Sequence, residues 1–357
     1  MQKTNTSMKI GIPRAMSYYH NYPFYYGFFK ALGIEIVLSD ITTKQTLSDG
    51  ASLVVTETCL PIKVYVGHVI NLLDKGVDKI LVPSLQSIGH KIYNCSKIRG
   101  LPDLIRNVVK QDFTLIEATL DKSEKNRGFY SFLKECVEPF GITDEKVIKQ
   151  ASKEGWKIYN NFMVMCKSGL SYPKALNYAK QGKIIIDSEE KGQPITVALI
   201  SHGYNIYDER TSMKIFDKLD KMDVKVLSAL QLSKEQMTEG LKTLGQQLYW
   251  ANEYEMTGAA GHYLKDNKVD GLITVTAFGC GPDSLMIEKI TRKAKSFNKP
   301  LLNLTIDEQT GEAGFITRLE AFVDMLFRKK RAKIINNIQL QDGEIPQTIN
   351  AEYIETK

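Results

Sequence analysis

Three of the five cysteines stand where parallel α/β proteins place their functional residues, near the carboxyl ends of predicted strands. Cys59 follows an apolar run, and Cys95 lies in the loop after a strand predicted at 79–83. Cys280 directly follows a strand predicted at 271–276. Because thiolates are the ligands of iron–sulfur clusters, this placement indicates a metal centre rather than a disulfide framework.

Each of these cysteines is followed by a proline that opens a predicted helix: Pro61, Pro102 and Pro282. The first turn of a helix offers free N–H groups and the positive end of the dipole, which stabilise an anionic thiolate cluster. Gly279 and Gly281 flank Cys280, so the backbone can approach the cluster closely. In a [4Fe–4S] cube, three protein thiolates would leave one iron open for a substrate oxygen, water or another small ligand.

The spacing by itself leaves other interpretations open. A mononuclear zinc site would use the same cysteines with a fourth ligand such as His68 or His90. Free cysteines are also common as buried packing residues. We predict that packing role for Cys136 and Cys166, which lie within helical patterns.

A second set of residues gives weaker candidates. His202 and Tyr204 follow a strand predicted at 195–200 and are candidate proton donors, and Glu308 follows a strand at 300–306. Lys63 and His68 lie on the helix after Cys59 and are candidates for contact with the cofactor. For all five, packing or capping is the competing interpretation.

Arg14 and Tyr18, after the first predicted strand, have the same two interpretations: an anion contact or a structural role. The aromatic residues at 22–29 are predicted to pack a helix rather than bind a cofactor.

The elements that must position these residues alternate between strand and helix in two halves of the chain, which predicts an α/β fold. Among them are a strand predicted at 114–120 and helices predicted at 207–222 and 248–265. We expect two Rossmann-like or flavodoxin-like lobes with parallel sheets, joined by a helical connector. The predicted boundaries are 1–121 for the N-terminal lobe, 122–192 for the connector, 193–337 for the C-terminal lobe and 338–357 for a polar tail.

The composition is that of a globular protein: 357 residues, 43% hydrophobic and 25% charged, with a net charge of +6. No basic block with interleaved aromatic residues suggests nucleic-acid binding. Residues 1–8 are polar and lack the apolar core of a signal peptide, and no apolar run is long enough to span a bilayer. These features predict a cytoplasmic protein that binds neither membranes nor nucleic acid.

Seven segments in order resemble the activase-related branch of the 2-hydroxyacyl-CoA dehydratase family, over about residues 8–330. They are IGIPRA (10–15), TETCLPIKVYVGHV (56–69), NCSKIRGLPD (94–103), SHGYNIYDE (201–209), LYWANE (248–253), FGCGPDSL (278–285) and TIDEQTGEAGFITRLEAF (305–322).

The resemblance implies an oxygen-sensitive iron–sulfur cluster held by Cys59, Cys95 and Cys280, the positions that match the family's cysteines. A [4Fe–4S] cluster is expected, and a double-cubane cluster across a dimer is the other type known in such proteins. Electrons would come from a separate ATP-hydrolysing activator that carries its own cluster. A homodimer or hetero-oligomer is implied by the same resemblance.

Two functions follow as expectations. One is an enzyme component that dehydrates a 2-hydroxyacyl-CoA or reduces a small substrate, and the other is a non-catalytic electron relay or scaffold. Two departures bear on them: Ser-His-Gly-Tyr at 201–204 replaces the Gly-His-Pro-Tyr of similar proteins, and the sequence contains neither a Walker-type loop nor a sugar-kinase-like ATPase region.

Overall fold

Both halves of the chain contain the parallel sheet that the alternating pattern predicts. A computed structural model describes residues 8–186, 194–245, 248, 250–251 and 253–342, with the backbone alone for 334 and 336–342. The N-terminal half contains β1 (Lys9–Ile12), α1 (Tyr18–Ala31), β2 (Glu35–Leu38), α2 (Lys44–Leu53), α3 (Leu60–Asp74), β3 (Lys79–Leu81), β4 (Ser84–Gly89), β5 (Ile92–Tyr93), α4 (Ser96–Arg99), α5 (Leu101–Val108), β6 (Thr114–Ile116) and β7 (Thr119–Asp121).

The middle of the chain is helical, and the second half returns to alternating strands and helices. The middle contains α6 (Phe129–Val137), a 3₁₀ turn (Glu138–Phe140), α7 (Glu145–Lys167) and α8 (Tyr172–Lys180). The C-terminal half contains β8 (Ile195–Ile200), α9 (Gly203–Ile206), α10 (Ile215–Lys221), β9 (Val224–Leu227), a 3₁₀ turn (Ala229–Gln231), α11 (Lys234–Thr243), α12 (Glu253–Lys265), β10 (Gly271–Ala277), α13 (Gly281–Ser296), β11 (Leu301–Ile306) and α14 (Glu312–Asp342).

The two main sheets have the same topology. Their strand orders are β2-β1-β3-β6 and β11-β10-β8-β9, and every pairing in them is parallel. Numbered within its own half, each sheet reads 2-1-3-4, which is the order that begins a flavodoxin-like sheet. The predicted α/β class with two parallel-sheet lobes is therefore confirmed. A small mixed sheet, β5-β4-β7, lies beside the first.

The helical segment packs tightly against the N-terminal half. A Cβ on Gly27 of α1 would lie 2.6 Å from the carbonyl oxygen of Glu154 in α7, so the two backbones touch. The aromatic residues of α1 are buried in the same apolar cluster as Phe162 and Cys166 of α7 and Cys136 of α6. The packing roles predicted for the aromatic stripe and for both of these cysteines are confirmed.

Three local predictions are corrected. A helix predicted at 207–222 forms only from Ile215 to Lys221, because Met213 and Lys214 adopt left-handed backbone angles (φ 50° and 54°) directly before α10. A strand predicted at 114–120 is two strands, β6 and β7, in different sheets. The helix predicted from 248 begins at Glu253, and α11 and α4 were not predicted.

The predictions of a polar C-terminal tail and of no membrane-spanning segment can be compared with the structure only within the described residues. The last helix continues through Asp342, into the first residues of the predicted tail, and 343–357 lie outside the described residues, as do 1–7 and 187–193. In the part of the chain that the structure describes, no helix has both the length and the apolar content to cross a membrane.

Candidate functional site

Each of the three candidate cysteines caps the N-terminus of a helix. Cys59 precedes α3, Cys95 precedes α4 and Cys280 precedes α13, and all three have extended backbone angles at the cap. Pro61 and Pro282 occupy the first turns of α3 and α13 because a proline there loses no helical hydrogen bond. The prediction that these cysteines stand at helix starts is confirmed, although the short α4 comes between Cys95 and Pro102.

The three cysteines lie within electrostatic range of one tyrosine. Burial raises the pKa of the Tyr204 hydroxyl well above its ordinary value, and Asp283, Cys280, Cys95 and Cys59 add to the rise. Cys59 is also close enough to Cys95 and Cys280 for each pair to interact electrostatically. Residues more than two hundred positions apart in the chain therefore lie within electrostatic range of one another.

The described residues do not form a site for a single metal ion. No group of three or more histidine, cysteine, aspartate or glutamate side chains in 8–186, 194–245, 248, 250–251 and 253–342 is arranged to hold one. A four-iron cluster differs from such a site because each thiolate binds a different iron, so its ligands are spread around the cluster. Three half-buried cysteines at helix N-caps nevertheless carry the donor atom that iron–sulfur clusters use.

Burial keeps two of these thiols protonated at neutral pH. It raises the pKa of Cys59, opposed by the nearby Lys97 ammonium and the backbone N–H of Ile62. Burial also raises the pKa of Cys280, and Asp283 adds to the effect. Neither cysteine side chain forms a helix-capping hydrogen bond with the backbone of its helix. A bound metal would have to displace these protons, so metal binding is expected to release acid.

A series of alternating acidic and histidine side chains connects the protein surface to Cys280. The half-exposed His20 contacts Glu255, with Nε2 3.0 Å from each carboxylate oxygen. Glu255 lies 3.9 Å from Nδ1 of the buried His202, whose Nε2 is 2.9 Å from Oδ1 of Asp283. Asp283 is three residues after Cys280, in the first turn of α13.

The charged forms of the acids and histidines in this series stabilise one another. Burial alone would lower the pKa of His202, but Asp283 and Glu255 raise it to about 10. Burial alone would raise the pKa of Glu255, but His20 and His202 lower it to about 2. His202 also stacks on Tyr204, with ring centroids 5.0 Å apart. The raised pKa favours the charged imidazolium of His202, which lies between Asp283 and Tyr204.

The ion pairs of Glu255 predict an acid-sensitive contribution to stability. Because its pKa falls from 4.5 to about 2 on folding, Glu255 stabilises the protein above pH 4.5, and this contribution is lost as the pH falls toward 2. We expect Glu255→Gln to lower the free energy of unfolding by on the order of 2 kcal/mol at pH 6, with a smaller difference at pH 3. Urea unfolding of the iron-free protein at both pH values measures this.

The control for that experiment is Glu288→Gln, which removes a carboxylate from an exposed pair with Arg292. We expect this change to cost less than about 0.5 kcal/mol at either pH. An equal loss for Glu255→Gln at pH 6 and pH 3 would contradict the assigned charge of Glu255.

Two other candidates, Lys63 and Glu308, bind each other across the two lobes. Lys63 is buried, and its Nζ donates to Glu308 Oε1 at 2.5 Å and to the Thr56 carbonyl at 2.9 Å. The pair therefore joins the segment before Cys59 to the loop after β11. Gly279 has φ +75° and lies against the Glu57 carbonyl, which brings the loops of Cys280 and Cys59 together.

His68 contacts a hydroxyl group rather than a thiol. Its Nε2 lies 2.9 Å from Oγ1 of Thr42, and Thr42 donates to Asp208. Burial lowers the pKa of His68 to about 4, so the ring is neutral at pH 7 and donates from Nε2. Asp208 also accepts from Tyr19 at 2.9 Å and thereby connects α1 to the loop after α9.

Sequence reasoning did not identify several residues of the site: His20, Glu255, Asp283 and Lys97. Asp283 carried a local signal, since an acidic residue in the first turn of a helix after a cysteine is close to the thiol by geometry alone. His20, Glu255 and Lys97 carried no such local signal, because their positions relative to the site depend on how distant elements pack.

Comparison with known proteins adds one finding. No curated protein matches the sequence significantly. The family model described as the CoA enzyme activase uncharacterised domain (DUF2229) matches residues 9–231, more than half of the chain, a range that includes Cys59, Cys95 and His202. Together with the order of the sequence segments, this match shows that the chain belongs to the family of CoA enzyme activase uncharacterised domains.

Proposed function

We propose that this chain is an iron–sulfur protein in which Cys59, Cys95 and Cys280 hold a [4Fe–4S] cluster. The observation that supports the proposal is that each of the three cysteines stands at a helix N-cap and that all three lie within electrostatic range of Tyr204. When bound, the cluster would supply single low-potential electrons and, with three protein thiolates, would leave one iron open to a small ligand.

The surrounding residues have defined tasks under this proposal. The first turns of α3 and α13 direct N–H groups and their positive dipole ends toward the sulfurs. Lys97 and the His202 imidazolium add positive charge, while Asp283 orients the imidazole through the 2.9 Å contact. Tyr204 is partly buried and the pKa of its hydroxyl is raised, so it keeps its proton and is a candidate neutral donor.

A separate ATP-hydrolysing activator is the proposed electron donor. Two large apolar side chains are exposed beside the cysteine loops: Phe278 is 68% exposed and Val55 is 71% exposed. Exposed apolar groups next to a functional site favour a surface that a partner protein covers. The proposed reaction is the reductive dehydration of a 2-hydroxyacyl-CoA or the reduction of another small substrate.

The test is anaerobic purification with iron and sulfide counts and EPR spectroscopy of the reduced protein. We expect about four irons and four sulfides per chain. We also expect cyanide or azide to change the EPR signal by binding at an open iron. Zinc at one per chain without iron would contradict the proposal.

A second measurement separates catalysis from electron relay. With an activator and ATP, an enzyme component should consume a substrate in proportion to its cluster content. An electron relay would behave differently. Its cluster would be reduced by the activator, but its EPR signal would not change with cyanide or azide, and no acyl-CoA or small substrate would be consumed.

A further inference from the structure

A large cavity lies between the two lobes at the carboxyl ends of both parallel sheets. Its volume is about 880 Å³, within the range of small-molecule binding sites. Residues that follow β1, β2, β9 and β11 line it, which is the position where open α/β sheets bind ligands. Leu60, directly after Cys59, is also part of the wall.

Arg14 is held in a fixed position at this cavity. Its backbone N–H donates to Ser39 Oγ at 2.8 Å, and its Nε donates to the Ser39 carbonyl at 2.6 Å. Ser39 itself is fully buried. The two terminal nitrogens of the guanidinium make no hydrogen bond or ion pair with any described residue. A rigid guanidinium with a free fork is suited to bind a carboxylate or phosphate with two hydrogen bonds.

Lys180 supplies a second cation on the same wall. Its Nζ lies over the rings of Tyr22 and Tyr26, 6.0 and 5.0 Å from their centroids. Arg14 is close enough to Tyr22 and Tyr18 to oppose the rise of their pKa values that burial causes. Within the described part of the chain, neither Arg14 nor Lys180 forms an ion pair with a carboxylate.

Three acids near these cations are already paired with other lysines, while Asp208, Asp217 and Asp307 also line the cavity. Asp40, the acid that Arg14 influences, pairs with Lys75 at 2.5 Å. Within the cavity wall, Glu308 pairs with Lys63, and Glu312 pairs with Lys218 at 2.7 Å. The positive charge of Arg14 and Lys180 is therefore not neutralised by these groups.

We propose that the interlobe cavity binds a small molecule through an oxyanion, a carboxylate or a phosphate, held by Arg14 and Lys180. The inference does not rest on the iron–sulfur proposal, because it concerns residues outside the cysteine crevice and is tested on iron-free protein.

The test is isothermal titration of the full-length, iron-free chain with pyrophosphate and with succinate. We expect saturable binding of at least one probe. Tighter binding of pyrophosphate indicates a phosphate ligand, and tighter binding of succinate indicates a carboxylate ligand. Arg14→Gln and Lys180→Gln should each weaken it about tenfold or more, while Arg127→Gln, at an exposed pair with Glu124, should leave it unchanged. Arg14→Lys should recover only part of the affinity, because an ammonium lacks the fork.

Two results would overturn the proposal. One is the absence of saturable binding of either probe by the wild-type protein. The other is binding that is equally tight in the wild type, in Arg14→Gln and in Lys180→Gln. Lys180→Gln leaves the contacts of Arg14 with Ser39 intact. Circular dichroism of each variant establishes that it is folded.

Discussion

Replacement of Cys280 by serine is expected to reduce bound iron from about four atoms per chain to less than one. Serine retains the shape of the side chain but replaces a soft thiolate with a hydroxyl, which is a poor iron ligand. Because Cys280 caps α13 from the second lobe, its loss leaves only the two thiolates of the first lobe. Iron and sulfide counts on anaerobically prepared protein measure the effect.

The matched control is Cys166→Ala, which removes a buried cysteine of α7 from an apolar cluster. We expect this variant to be somewhat less stable but to keep its iron. Cys59→Ser and Cys95→Ser should behave like Cys280→Ser. Full iron content with an unchanged EPR signal in Cys280→Ser would exclude this residue as a ligand.

Gly67→Ala is expected to lower the free energy of unfolding by about 3 kcal/mol. A Cβ on Gly67 of α3 would lie 1.8 Å from the carbonyl oxygen of Thr46 in α2. That oxygen belongs to the backbone, so it cannot move aside as a flexible side chain would, and the two helices must separate. Since α3 begins at Cys59, the same change should also weaken iron binding.

The control for this prediction is Gly314→Ala in the first turn of α14. A Cβ there has no neighbour within 4 Å, so the change should raise stability by roughly 0.5–1 kcal/mol through helix propensity. Urea unfolding of the iron-free proteins compares the two. Equal midpoints for Gly67→Ala and the wild type would show that α2 and α3 do not cross as closely as described.

The repeated topology explains why the candidate site forms where it does. In the second sheet, β8 and β10 are neighbours at the point where the strand order reverses. His202 follows β8 and Cys280 follows β10, so the switch point places them together, with Asp283 between them at 2.9 Å from the imidazole. Cys59 and Cys95 of the first lobe lie within electrostatic range of Tyr204, two residues after His202.

The two lobes are held together by long-range contacts as well as by apolar packing. One apolar cluster includes Leu60 and Val64 of α3 together with Ile206 of α9 and Phe315 of α14. The pair of Lys63 with Glu308 and the contact of Tyr19 with Asp208 cross the same boundary. Both polar contacts border the interlobe cavity, so a ligand there would contact both lobes.

The sequence by itself determined the features that depend on local pattern. Strand and helix types, the start of helices after Cys59 and Cys280, and the buried role of Cys136 and Cys166 all follow from hydrophobic periodicity and the position of proline. The seven ordered segments likewise indicated the family that the family model later matched. These features need only information from neighbouring residues.

The tertiary structure alone decided which side chains meet. His20 and Glu255 are 235 positions apart, Lys63 and Glu308 are 245 apart, and His202 and Asp283 are 81 apart. The late start of the helix predicted at 207–222 was not predicted either, because Met213 and Lys214 take left-handed angles before it. Such contacts depend on the packing of whole elements, and local propensities carry no information about which distant partner will fill a given position.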